Sequence, residues 1–138
     1  MKTWLVDTGP FIAYINRNEA THERVAARVD GFAGQLATTS AVLTEVMYFL
    51  SDVPNGPVSF AELLLASGAR VVESTQPEQV LAAAELMRKY SDTPMDFADA
   101  TLVLLAAELE VMDILTLDRR GFSTYRTATG KAFRLVLS

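Results

Sequence analysis

Short apolar segments alternate with longer helical ones along this chain, and no other feature constrains its fold as much. Residues 3–6 read as an apolar strand that ends at Asp7. Gly9-Pro10 then opens a helix, since proline suits a first helical turn. A second helix is expected over about residues 19–32, Gly34 breaks the pattern, and residues 36–38 form a short strand. Ser40 is placed to cap a helix bearing Val42, Val46, Phe49 and Leu50. Residues 51–57 read as a turn, followed by a helix over 59–66 that Gly68 stops and a strand over 70–73. A helix over 77–89 sets Val80, Ala84 and Met87 on one side. Thr93-Pro94-Met95-Asp96 resembles a capping box with Asp96 in its acidic position. The helix that follows, to about residue 108, is apolar nearly all round, the pattern of a helix covered on most sides. Strands over 114–117, ending at Asp118, and over 133–137 complete the chain. This alternation predicts an α/β fold: a parallel sheet with helices on both faces. In such sheets ligands bind at the strand-to-helix ends.

At 138 residues, with no repeat and no linker-like run, a single domain over residues 1–138 is expected. A chain of this size buries about 68% of its unfolded surface and needs no covalent staples. It has no cysteine, which removes disulfides, thiolate zinc sites and cysteine nucleophiles together and suits a cytoplasmic location. The longest unbroken apolar run, residues 102–107, is six residues, far below the ~20 that span a bilayer, so no membrane association is expected. Asp7 interrupts the apolar N-terminal stretch, against a signal peptide.

Acids outnumber bases by 17 to 12, a formal net charge of −5, which taken whole speaks against a nucleic-acid partner. The charge is unevenly placed, however. All 17 acids and 7 of the bases fall at or before Asp118, whereas Arg119, Arg120, Arg126, Lys131 and Arg134 follow with no acid among them. That segment is either a solvated surface or a patch that meets a polyanion.

Four acids stand in surroundings that do not suit them. Asp7 and Asp118 end apolar strands, Glu45 lies mid-helix between Val42-Leu43 and Val46-Met47, and Asp99 lies near the start of the most hydrophobic helix. Ionised carboxylates are rarely buried unless paired or bound to metal. Singly, each has an ordinary explanation: a helix cap for Asp7, a solvent-facing edge for Glu45, the helix dipole for Asp99, a turn for Asp118. Together they occupy strand ends and early helix turns, which converge at one edge of an α/β sheet. Asp96, one helical turn before Asp99, is either a cap residue or a fifth, outer carboxylate of the same site.

Converging carboxylates raise one another's pKa or recruit a cation, and an all-oxygen donor set suits Mg²⁺ or Mn²⁺. Such an ion also ligates phosphate and lowers the pKa of bound water. An acidic pocket could then engage a polyanion through metal while Arg119 and Arg120, which directly follow Asp118, meet its phosphates or remain exposed turn residues. Other chemistries lack their parts. The single histidine, His22, has no partner nearby in sequence and reads as a surface residue. There is no phosphate-binding glycine loop and no Gly-x-Ser-x-Gly elbow. Trp4, Phe49, Phe97 and Phe133 sit in apolar contexts and read as core.

Four segments carry a resemblance: Val-Asp-Thr-Gly-Pro-Phe-Ile-Ala-Tyr at 6–14, Thr-Thr-Ser-Ala-Val-Leu-Thr-Glu-Val at 38–46, Met-Asp-Phe-Ala-Asp-Ala-Thr-Leu-Val at 95–103 and Leu-Thr-Leu-Asp-Arg-Arg-Gly-Phe at 115–122. In order and spacing they resemble the motifs of PIN-domain proteins, and most closely the small bacterial toxins of VapC type. Gly9-Pro10 replaces the Ser-x often found there, without loss of an acid. The resemblance implies a three-layer α/β/α domain with a central parallel sheet of about five strands. It implies a Mg²⁺- or Mn²⁺-dependent endoribonuclease, the toxin of a toxin–antitoxin pair, whose metal-site acids correspond to Asp7, Glu45, Asp99 and Asp118. Thr8 and Thr116 match hydroxyl residues that support the acids, and Arg119 and Arg120 become candidate RNA contacts. A homodimer and an inhibitory antitoxin whose segment enters the acidic groove are also implied.

Three other readings compete. One is a catalytically silent PIN-like module that binds RNA or protein. The others are a haloacid-dehalogenase-type phosphoryl enzyme, which position 9 as glycine disfavours, and a receiver domain, whose strand-ending lysine has no counterpart here.

Overall fold

The computed structural model describes residues 1–137. Its elements run β1 (Thr3–Val6), α1 (Thr8–Ile15), α2 (His22–Asp30), β2 (Gln35–Thr39), α3 (Ser40–Phe49), α4 (Gly56–Ser67), β3 (Arg70–Val72), α5 (Pro77–Lys89), α6 (Phe97–Leu109), β4 (Asp113–Leu115), α7 (Arg119–Thr124) and β5 (Arg134–Leu135). The five strands form one sheet in the order β3-β2-β1-β4-β5, parallel at every pairing. The chain thus begins at the centre, winds outward to β3, and crosses back to β4 and β5. Right-handed crossovers put α1–α4 on one face and α5–α7 on the other, which is the expected three-layer α/β/α architecture. Strand order reverses between β1 and β4, and the carboxyl ends of strands at such a point form a natural crevice.

The sheet centre is wholly apolar: Leu5, Val6, Ile114 and Leu115 are buried. The helix α6 is covered nearly all round, as its composition predicts, by burial of Ala98, Ala100, Leu102, Val103, Leu105 and Ala106. Gly68 ends α4 in the left-handed conformation (φ 65°), where a side chain would be strained.

Several local expectations are corrected. The cap of α3 is Thr39, not Ser40. Strand β2 runs directly into the helix, so its last extended residue accepts from the Val42 N–H at 3.3 Å, while Ser40 Oγ meets Ser74 Oγ at 2.9 Å. The capping box of α6 lies three residues later than expected. Met95 is buried and the chain turns helical only after Asp96, so Asp96 is the cap and Asp99 its reciprocal partner. Helix α5 is rolled by about a residue: Ala83, not Val80 or Ala84, is buried, because a small side chain lets α5 lie close to α6. Phe49 is 52% exposed rather than core, whereas Trp4 and Phe133 are buried and Phe97 half-buried. Arg119, Arg120 and Gly121, which one reading of Asp118 put in a turn, open the short helix α7 (Arg119–Thr124), too brief to show a period in sequence.

Candidate active site

Five carboxylates line a single cleft of about 420 Å³ at the carboxyl edge of the sheet: Asp7, Glu45, Asp96, Asp99 and Asp118. They arrive on separate elements. Asp7 ends β1 and caps α1, accepting from the Thr8 N–H at 2.8 Å. Asp118 follows β4 and caps α7, accepting from the Gly121 N–H at 3.0 Å. Asp96 and Asp99 form the reciprocal capping box of α6, with N–H to carboxylate distances of 2.8 and 3.1 Å. Glu45 is half-buried on α3. The ordinary explanation and the site explanation therefore hold together for Asp7, Asp96 and Asp118. Three helix N-termini converge on the cleft, and their partial positive charge lets like-charged groups gather there. Asp96, Asp99 and Asp118 each give one oxygen to a helix-terminal N–H and keep the second clear of the backbone.

Thr116 joins the two strand-end acids. Its hydroxyl donates to Asp7 Oδ2 at 2.8 Å and accepts from the Asp118 N–H at 2.9 Å. Burial pushes the Asp7 carboxyl up to about 6; the hydrogen bonds from Thr116 and Thr8 restrain the rise, and the charges of Asp96 and Asp118 add to it. Burial likewise raises Asp99 to about 8, reinforced by the charges of Asp7 and Asp96. The cluster is thus strained electrostatically.

Other residues of the site give weaker sequence signals. Tyr125 is buried beneath the acids and donates its hydroxyl to the Pro94 carbonyl; burial and the four aspartates raise its pKa. A Cβ on Gly121 would lie 2.3 Å from Asp118 Oδ2, so this glycine admits the carboxylate. Ile12, Phe49 and Leu117 give the cleft an apolar side. Ile12, Leu117 and Gly121 fall within the segments at 6–14 and 115–122, whereas Phe49, read as core, could have been placed here only by its spacing of four residues from Glu45. His22 lies away from this cleft, half-buried, with Nδ1 2.7 Å from the Ala13 carbonyl oxygen; it lines a wider groove of about 970 Å³ beside α1, α2 and α4.

The sequence profile of the PIN domain matches residues 4–127. The chain belongs to the PIN-domain family. Ribonuclease VapC26 of Mycobacterium tuberculosis is 32% identical over 133 residues, which cover 96% of this chain and 98% of that protein. Among solved structures, the chain resembles VapC20 of M. tuberculosis, a sarcin-ricin loop cleaving toxin, with a TM-score of 0.74 at 20% identity over 83% of this chain and 89% of that one. It also resembles VapBC2 of Rickettsia felis bound to a DNA fragment from its promoter, with a TM-score of 0.56 at 14% identity over 83% and 86% of the two chains. These two likenesses are of fold.

For this PIN domain the fit of a divalent cation can be judged from its donors. The cleft offers hard carboxylate oxygens, two of its acids are held above their ordinary pKa range, and the buried Thr8 hydroxyl on its wall has no hydrogen-bond partner among the described residues. Each of these suits a hard cation. Among the described residues, however, no three such groups stand close enough to grip one ion as they lie. The basic C-terminal segment also divides. Arg134 pairs with Asp113 across β5 and β4 at 2.6 Å, and Arg126 Nη1 donates to the carbonyls of Ser123, Thr124 and Tyr125. Arg119 and Arg120 are exposed beside Asp118 and form no ion pair among the described residues. No helix among those residues is long and apolar enough to cross a membrane.

Proposed function

We propose that this PIN domain is a metal-dependent endoribonuclease, the toxin of a toxin–antitoxin pair. The observation that carries the reading is the convergence of five carboxylates from four parts of the chain on one cleft at the sheet's switch point. The family and the name of the 32% identical relative, a ribonuclease, support it. Asp7, Asp99 and Asp118 hold Mg²⁺ or Mn²⁺ directly or through water, with Asp96 outside them. Bound there, the ion supplies a water of lowered pKa and neutralises charge at phosphorus. Glu45 completes the site or orients the attacking water. Thr116 fixes Asp7 against the Asp118 backbone, and Thr8 lines the same wall. Attack is in line, with the 3′-oxygen leaving, and yields a 5′-phosphate and a 3′-hydroxyl without using the RNA 2′-hydroxyl as nucleophile. Arg119 and Arg120 contact flanking phosphates. A second copy of the chain and an antitoxin whose segment enters the acidic cleft are the partners.

Cleavage of RNA in Mg²⁺ or Mn²⁺, abolished by EDTA and by Asp7→Asn or Asp99→Asn, is the expected result. Activity that survives any of these treatments would defeat the mechanism. One observation favours a second reading, a silent module that binds RNA or protein: the acids do not by themselves form a three-ligand grip. Calorimetric titration with Mn²⁺ separates the two, since the enzyme requires saturable binding that Asp99→Asn removes.

A further inference from the structure

Thr39 and Thr101 are buried, 1% and 2% exposed, and their hydroxyls meet at 2.8 Å. A hydroxyl has one hydrogen to give. Thr101 gives its own to the Ala98 carbonyl at 2.7 Å, so Thr39 is the donor in the bridge, and its oxygen accepts from the Val42 N–H at 3.3 Å. One directional chain therefore runs from the Val42 N–H through both hydroxyls to the Ala98 carbonyl, and bonds in such a chain polarise one another. It joins the first turn of α3 to that of α6. Ala98 directly precedes Asp99, and Val42 lies three residues, about one turn, before Glu45. Both acids line the cleft, and neither threonine does. Thr38, the preceding residue of β2, donates to the Val6 carbonyl at 2.8 Å, immediately before Asp7. The end of β2 thus touches the backbone beside two of the cleft's acids and caps the helix that carries a third.

We propose that the Thr39–Thr101 bridge is a positioning device: it fixes the spacing of α3 and α6 and so holds Glu45 and Asp99 where they serve one ion. This rests on the metal-dependent ribonuclease reading and assigns that site two positioning residues outside the cleft. The bridge is closer than apolar packing allows. Carbon atoms in contact settle at ~3.5–4.0 Å, so two methyl groups in place of the hydroxyls would set the helices about 1 Å further apart. Removing one hydroxyl orphans the other in a buried place, whereas replacing both leaves an apolar pair. The double valine variant is therefore expected to lose less stability than the two single variants together, although its helices stand furthest apart. A bridge that only stabilised the fold would leave metal affinity parental in every folded variant.

The test uses the full chain, titrated calorimetrically with Mn²⁺ at a temperature where the variants are folded, and assayed for RNA cleavage at saturating Mn²⁺. Thr39→Val/Thr101→Val is expected to weaken Mn²⁺ binding roughly 10- to 100-fold. Its kcat is expected to fall about 10²-fold with little change in KM for RNA. Thr39→Ser and Thr101→Ser, which keep the hydroxyls, restore affinity and kcat. If the double valine chain does not fold, Thr101→Val alone, which keeps the Thr39 cap, carries the same comparison. A valine variant that binds Mn²⁺ and cleaves RNA as the parent does overturns the inference, whatever its melting temperature. Serine variants as impaired as the valine ones overturn it too, because the hydroxyl bridge would then not be what sets the site. A parent that neither binds Mn²⁺ nor cleaves RNA overturns the ribonuclease reading instead.

Discussion

Asp7 carries the largest conflict between folding and chemistry at a single residue. It is buried at the sheet centre, and its carboxyl titrates near 6 instead of in the ordinary range near 4. Folding therefore favours its protonated form. The stability associated with that group is intact below about pH 4 and is lost as pH rises through about 6. Asparagine cannot ionise, so metal-free Asp7→Asn is expected to be more stable than the parent at pH 8, by up to ~3 kcal/mol at about 1.36 kcal/mol per pKa unit. The two should converge near pH 4. Urea denaturation at both pH values measures the difference, and a variant less stable at pH 8 would contradict the burial argument. Added Mg²⁺ is expected to raise the parent's melting temperature and not the variant's.

Among the elements, α6 and α7 hold the acids by their first turns. Asp96 is both a cap and a cleft residue, and two substitutions separate these parts. Asparagine caps as well as aspartate, so Asp96→Asn should keep stability within about 0.5 kcal/mol, while Asp96→Ala loses about 1 kcal/mol. If Asp96 also serves the site, Asp96→Asn lowers cleavage although its melting curve is unchanged; full activity would make it a cap alone. At α7, a Cβ at Gly121 would collide with Asp118 Oδ2 at 2.3 Å and approach Tyr125 Oη at 2.9 Å. Gly121→Ala is expected to displace the carboxylate and cost on the order of 10²-fold in cleavage, as small misplacements at reacting centres do. Retention of parental activity would mean that Asp118 does not act from its position as cap.

For the whole molecule, net charge is a poor guide to partners because the charges are segregated. Five acids are drawn into one cleft, and two of the five C-terminal bases are used in internal contacts. Arg119 and Arg120, which directly follow Asp118, stay exposed. Each phosphate contact on single-stranded RNA contributes about 0.7 to the slope of log K against log salt, so replacing both with serine should flatten the slope by about 1.4. An unchanged slope would place the phosphate path elsewhere.

Strand–helix alternation, the apolar girth of α6, and acids at strand ends and helix starts were all legible in the chain. Local periodicity and the cost of burying charge express them without reference to distant residues. In the order β3-β2-β1-β4-β5 it is the β1–β4 pairing, between strands more than a hundred residues apart, that brings Asp7 and Asp118 side by side. The shift of the capping box to Asp96, the roll of α5 onto Ala83 and the short α7 follow from packing and backbone geometry at each junction. Phe49 shows the division most clearly. Its sequence surroundings are those of a core residue, but only the tertiary structure decides which side of α3 faces the sheet. Phe49 lies at the Glu45 edge of the stripe that carries Val42 and Val46, at the last residue of α3, and there the ring comes out at the acidic cleft.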